Sequence, residues 1–181
     1  MAGMKIVREL DRNRIMYEEM IKRFGEKTAI TAYRRALDQE GKKTNTAIKN
    51  TLVKQTSIKK GEVNKSISFI GPSRDNLSFK IVGTGRHRGL RNFGAVQFSY
   101  GVRVKDMWGK KQRKFKSAFI VPRLNAHAFV RTGSARFPIR VMYGPSIPKE
   151  LVKDEARDVF DEALPNLHIA AIEKLKQALK V

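Results

Sequence analysis

A chain of 181 residues, 41% of them hydrophobic, can bury one ordinary core and is too apolar for a disordered basic tail. The absence of cysteine excludes disulfides and thiolate metal sites. With 38 Lys and Arg against 17 Asp and Glu, the net charge is +21, a field that favours polyanions or acidic protein surfaces as partners.

That charge is uneven. Residues 1–60 carry 15 basic and 7 acidic side chains, residues 61–148 carry 17 and 3, and residues 149–181 carry 6 and 7. The central segment therefore holds most of the excess. The apolar runs are only a few residues long, so no membrane span is expected. The opening residues MAGMKIVRELDRNR lack the apolar stretch of a signal peptide.

In chain order, Ile15, Met16, Met20, Ile21 and Phe24 recur at helical spacing and Gly25 is a stop signal, which predicts a short helix or arm over residues 1–25. The clearest helix follows at 26–56. Ala29, Ala32, Tyr33, Ala36, Leu37, Glu40, Thr44, Ala47, Ile48, Thr51 and Leu52 share one stripe, and Arg34, Arg35, Lys42, Lys43 and Lys49 share the other face. Small residues dominate the stripe, so its partner comes close; a sheet is the expected partner, and Gly41 marks a bend. Ile58, Val63 and Ile67 are spaced for one more turn over Lys60 to Lys65, too short for a recognition helix.

A sheet with basic loops is expected over 66–143. Ser66 to Ile70 and Leu77 to Val82 flank a turn-rich stretch and predict a hairpin. The run from Gly83 to Arg91 reads as a flexible, glycine-rich basic loop holding Arg86, Arg88 and Arg91. Val102 and Val104 form a strand that enters Asp106-Met107-Trp108-Gly109, with Trp108 at a hairpin tip or in the core. Lys110, Lys111, Arg113, Lys114 and Lys116 read as a second basic loop. Three strands follow, at Ala118 to Val121, at Ala128 to Val130, and at Phe137 to Tyr143, the last alternating as a strand with one buried face does. Gly144-Pro145-Ser146 breaks the chain, and Pro148 opens a C-terminal helix over 149–181 that kinks or restarts at Pro165. Its apolar stripe is Leu151, Val152, Ala156, Val159, Phe160 and Ala163, continued by Ile169, Ile172, Leu175 and Leu179. The fold class is α+β in a single domain over 1–181, an antiparallel β-sheet packed against a long N-terminal helix and a C-terminal helix.

No catalytic constellation emerges. His87, His127 and His168 lack ligand-spaced partners, so neither a metal nor a cofactor is expected. The glycines at 83, 85 and 89 lack the Lys-Ser ending and the following helix of a phosphate loop. Asp106 is the one acid between Asp75 and Glu150, so a carboxylate pair cannot form there. These readings argue against an enzyme. Nucleic-acid binding stays open: the basic segments can grip phosphates, and Trp108, Phe115 or Phe93 can stack on bases.

A family resemblance rests on several stretches. Ala32, Tyr33, Arg34, Arg35 and Ala36 are similar to the opening helix of the minor tail protein Z family of tailed bacteriophages, and Thr56, Ile58, Val63 and Ile67 resemble its next segment. Gly101 to Val104, Gly109 and Lys116 to Ile120 look like its central strands. Most telling are Phe129-Val130-Arg131-Thr132-Gly133, Arg136-Phe137-Pro138-Ile139 and Gly144-Pro145-Ser146-Ile147-Pro148. The resemblance spans residues 26–159. It implies a virion protein, assembled in the host cytoplasm, at the head-proximal end of the tail. There it would complete or terminate the tail as a hexameric ring and join it to the neck. The implied partners are copies of itself, the tail tube protein, the sheath protein of a contractile tail, and a head-completion protein, with non-specific contact to packaged double-stranded DNA. On this reading Arg86, Arg88, Arg91, Lys105, Trp108, Lys110, Lys111, Arg113, Lys114 and Lys116 make assembly or lumen contacts.

Overall fold

The computed structural model describes Lys22 and residues 26–179. Apart from Lys22, the short helix expected before Gly25 lies outside them.

Helix α1 spans Glu26–Thr56 without a break. Ala29, Ala32, Tyr33, Ala36, Leu37, Ile48 and Leu52 are buried along one stripe, with Glu40 and Thr44 among them. Ala47, expected on this stripe, is exposed. The helix ends where Ser57 turns left-handed (φ 60°) and its N–H bonds the Val53 carbonyl at 2.9 Å. Its main partner is the C-terminal helix α4, Asp154–Leu179, rather than a sheet. Small residues decide this. Ala156, Ala170 and Ala171 of α4 are buried, as are the alanines of α1, and the two stripes close on each other.

The helix runs unbroken through Gly41. A Cβ there would lie 2.8 Å from Cε2 of Phe69 and 3.0 Å from Cγ of Phe79. The glycine is the notch that admits these rings. The Phe69 and Phe79 centroids are 6.0 Å apart, and Phe79 continues to Phe160 at 5.9 Å, so an aromatic wedge ties α1 to α4.

After α2 (Lys60–Ser66), strands β1 (Ile67–Ile70) and β2 (Lys80–Gly83) pair antiparallel, from Ile67↔Gly83 to Ile70↔Lys80. The remaining strands are β3 (Val96–Phe98), β4 (Gly101–Met107), β5 (Lys110–Lys116), β6 (Ala118–Val121), β7 (His127–Arg131) and β8 (Ile139–Val141). The architecture is thus α+β with antiparallel pairing, but the strands divide into three sheets, β1-β2, β3-β4-β5 and β6-β7-β8. Two bonds hold the larger sheets together: Ser117 N–H to the Tyr100 carbonyl (3.2 Å) and Ile120 N–H to Oε1 of Gln97 (2.8 Å).

The second basic loop is a strand. Trp108 and Gly109, both at positive φ (52° and 64°), make the two-residue hairpin turn that pairs β5 with β4. Charge hid the strand from the alternation rule, yet an outer strand rich in lysine is a common sheet edge. The strand expected from Phe137 to Tyr143 shrinks to β8 and has no fully buried face: Ile139 and Val141 are half-buried, while Phe137 and Tyr143 are 64% and 54% exposed. Short helix α3, Ile147–Glu150, takes Pro148 in its first turn, where its missing N–H costs nothing. The helical restart falls at Asp154 rather than Pro165, which α4 carries in its interior.

Among the described residues of α4, Ala156, Phe160, Leu167, Ala170 and Ala171 are buried. Ile169 and Ile172 instead face outward, 60% and 45% exposed. The side chains of His168, Leu175 and Leu179 lie outside the description. One core cluster runs from Ala29 to Ala171 and takes in Val102, Val104 and Met107 of β4 and Ala118 and Ala128 of β6 and β7.

Candidate functional site

The basic residues singled out in the sequence separate into two places. The segment from Gly83 to Arg91 is stitched down rather than flexible. Arg88 N–H bonds the Pro145 carbonyl at 3.1 Å, Gly144 N–H bonds the Arg88 carbonyl at 2.6 Å, and Gly89 bridges Tyr143. His87 Nδ1 lies 3.2 Å from the Gly144 carbonyl and donates to it in the matching tautomer. Leu90 opens a short 3₁₀ turn and is fully buried. The guanidinium of Arg88 faces Glu62 at 3.5 Å, and that of Arg91 donates to the Asn125 carbonyl at 2.9 Å. Arg86 is left exposed. This segment and Gly144-Pro145 thus support each other.

The second place is the β3-β4-β5 sheet. Its register puts Val96, Arg103 and Lys114 in one row, Phe98, Gly101 and Lys116 in the next, and Lys105 opposite Gln112. All of these share one face. The other face carries Val102 and Val104, both at 0% exposure, with Arg113 and Phe115 opposite them on β5. The first face is therefore outward, and it collects Arg103, Lys105, Lys114 and Lys116. Among the described residues none of these four has a carboxylate within ion-pair distance.

Rings organise this face. Phe98 and Tyr100 stack at 5.5 Å with 11° between planes. The Arg103 guanidinium sits 4.3 Å from the Phe98 centroid, and Lys114 Nζ sits 5.7 Å from that of Tyr100. Arg103, Phe98 and Tyr100 were missed in the sequence because only strand pairing joins them to Lys114. The available signal was the two-residue spacing of Phe98 and Tyr100, then of Arg103 and Lys105.

At the hairpin turn, Trp108 is held inward. Its indole N–H donates to Oε1 of Glu150 at 3.2 Å, and Arg113 covers the ring at 4.6 Å. It is not a free platform for a base. Lys110 and Lys111 follow it, exposed, on β5, which has a partner strand on one side alone.

The family-like motif lines a different surface. Phe129 and Arg131 lie on β7, Gly133, Arg136 and Pro138 in the exposed connection to β8, and Gly144, Pro145 and Pro148 around the start of α3. The register places Phe119, Phe129 and Val141 on one face of β6-β7-β8, with Val121, Arg131 and Ile139 beside them. Phe119 and Phe129 stack at 6.2 Å, and Arg131 lies 4.8 Å over Phe119. Ala118 and Ala128, on the opposite face, belong to the core cluster; Phe119, Val121, Ile139 and Val141 do not.

An open groove of about 530 Å³ runs between α1 and α4, past Glu40, Thr44, Glu162, Asn166, Ile169 and Glu173. Among the described residues no cluster of His, Asp and Glu could hold a metal ion, and no helix is long and apolar enough to cross a membrane. Compared with known proteins, the chain matches no family model, no curated protein and no solved structure.

Proposed function

We propose that this protein is a structural subunit of the head-proximal end of a bacteriophage tail, where copies of it close into a ring that completes the tail and joins it to the neck. The family resemblance suggests the setting. The observation that carries the reading is the outer face of β6-β7-β8, where Phe119, Val121, Ile139 and Val141 lie half-buried and outside the core cluster around a buried Phe129, next to an exposed Phe137 and Tyr143. A surface of that kind marks a contact.

The occupant that fits is the next copy's α4. Between residues 155 and 173 that helix has five acidic side chains, Glu155, Asp158, Asp161, Glu162 and Glu173, against one basic, Arg157. It also exposes Ile169 and Ile172. The sheet face presents Arg131 and Arg136 around its apolar centre. A face that is basic and apolar matches one that is acidic and apolar, and both belong to the same chain. Such a contact is head-to-tail, and it closes into a ring when the rotation between copies permits. The resemblance makes the ring a hexamer and its neighbours the tail tube, the sheath of a contractile tail and a head-completion protein. On this reading Arg86, Arg88, Arg91 and the β4–β5 hairpin face the tube or the channel.

The test is mass in solution, alone and with purified tail tubes, followed by imaging of tube ends. A ring seated on one end of each tube is the expected result. A monomer that leaves tubes bare at every protein concentration would remove the proposal.

A further inference from the structure

The outward face of β3-β4-β5 holds like charges where the fold has no use for them. Arg103 and Lys114 are direct cross-strand partners, in a register where two cations oppose each other unfavourably. Lys105 and Lys116 extend the cluster on the same face. Asp106, the single acid between Asp75 and Glu150, cannot balance four cations. What the fold supplies is aromatic backing: Phe98 under Arg103 and Tyr100 beside Lys114 hold both cations in place without neutralising them.

We infer that this face is a binding site for the phosphate backbone of nucleic acid, and that it reads no base. The rings decide the second point. Phe98 has Arg103 over it and Tyr100 stacked against it, and Tyr100 has Phe98 on one side and Lys114 nearby. Phe98 thus has no open face for a stacking base, and Tyr100, 39% exposed, has one of its two faces taken by Phe98. The rings therefore act on the cations, and the cations act on phosphates. Arg103 is the anchor, since a guanidinium matches two phosphate oxygens at once. Residues along a strand that share a face lie about 7 Å apart and adjacent strands about 5 Å, so the four cations form a compact patch. A patch of that size spans a few successive phosphates of one backbone. A duplex is as good a ligand as a single strand, since both present the same phosphates. The inference does not rest on ring assembly, and its test uses the isolated chain.

The experiment measures affinity for a mixed-sequence duplex of about 30 base pairs between roughly 50 and 200 mM salt. Four neutralised phosphates give a slope of log affinity against log salt near −3.6, or about a 150-fold loss across that range. Replacing Arg103, Lys105, Lys114 and Lys116 by Gln should remove most of the slope. Its unfolding midpoint should be unchanged or raised, because a repulsive pair is gone. A control replacing Lys27, Arg35, Lys60 and Lys65, all exposed and elsewhere, loses the same charge and should keep the slope within about one unit. Replacing Phe98 and Tyr100 by Leu should weaken binding severalfold with a smaller change in slope. Equal losses in the two Gln variants would make the attraction a diffuse field and overturn the site. Tighter binding of a single strand than of the duplex would mean that bases stack, and would overturn the phosphate-only reading. Binding to polyglutamate with none to the duplex would assign the face to an acidic protein instead.

Discussion

The indole N–H of Trp108 donates to Oε1 of Glu150 at 3.2 Å, and the second oxygen of the same carboxylate accepts from Nε2 of Gln55 at 3.1 Å. One side chain of α3 thereby joins the β4–β5 turn to the end of α1. The bond from Gly109 N–H to Oγ of Ser57 at 3.3 Å adds a second tether. The hairpin carrying the basic strand is therefore fixed at its tip, and its cations are held in position by the helices behind it. All three groups joined at Glu150 are partly buried, so both bonds count toward stability. Glu150→Ala should cost about 2 kcal/mol, since bonds to a charged acceptor are worth roughly 1.5–3 kcal/mol each and part of that is recovered from water. For a chain of this size the unfolding midpoint should fall by on the order of 6 °C in calorimetry. Glu150→Gln, which keeps an acceptor, should lose less than half as much. Equal midpoints for the wild type and Glu150→Ala would show that the tether carries no load.

Gly41 gives a prediction of unusual sign. In an exposed helix, Gly→Ala stabilises by about 1 kcal/mol. Here the added methyl would meet Phe69 and Phe79 at 2.8 to 3.0 Å. Overpacking of that kind costs roughly 1–3 kcal/mol, so Gly41→Ala should be destabilising and Gly41→Val more so. Denaturant midpoints measure it directly. Pairing Gly41→Ala with Phe69→Leu should recover part of the loss, because the clash is with the far end of that ring.

These two sites also show what sequence can and cannot convey. The stripe of α1 was legible because a period of 3.6 recurs over 31 residues, and local spacing is all that the pattern needs. What packs on that stripe was not legible. Gly41 gave no sign that Phe69 and Phe79 would fill it, since that contact joins segments distant in sequence. The outward turn of Ile169 and Ile172 was hidden for a related reason. Large aliphatics dominate a hydrophobic pattern, but the close approach to α1 selects Ala170 and Ala171 for the interior. Strand β5 was obscured by its own lysines. The outward cation cluster needed register: Arg103 and Lys114 are eleven positions apart and become neighbours only when β4 and β5 pair.

Charge reversal at Lys110, Lys111, Arg113 and Lys114 separates folding from assembly. All four side chains are exposed, so the variant with Glu at each position should fold. Its main structural loss is the Arg113 contact with Trp108, worth about 0.5–1 kcal/mol at an exposed site. Tail joining should nevertheless fail, scored as free heads and unjoined tails in an assembly extract. Normal joining by this variant would remove the hairpin from the assembly contacts.

The head-to-tail contact between the sheet face and α4 has a signature of its own. One variant carries Arg131→Glu and Arg136→Glu, so its sheet face repels the acidic helix of its own kind. A second carries Asp158→Arg, Asp161→Arg and Glu162→Arg, which leaves two acids against four bases between residues 155 and 173, so its helix repels the basic sheet face of its own kind. All five side chains are exposed, and neither change disturbs the core. Each variant alone should stay monomeric. Mixed in equal amounts they become complementary in both directions: the altered sheet meets the altered helix, and the native sheet meets the native helix. Assembly should then return, but only with the two variants alternating around the ring. Alternation closes only for an even number of copies, so native mass spectrometry of the mixture reads stoichiometry as well as contact. A product with equal numbers of each variant and more than two copies fits a head-to-tail ring with an even count, as a hexamer requires. A product that stops at one copy of each would mean a twofold pair in place of a ring. No recovery on mixing would separate the sheet face from α4 and require a different occupant for the apolar surface around Phe119 and Val141.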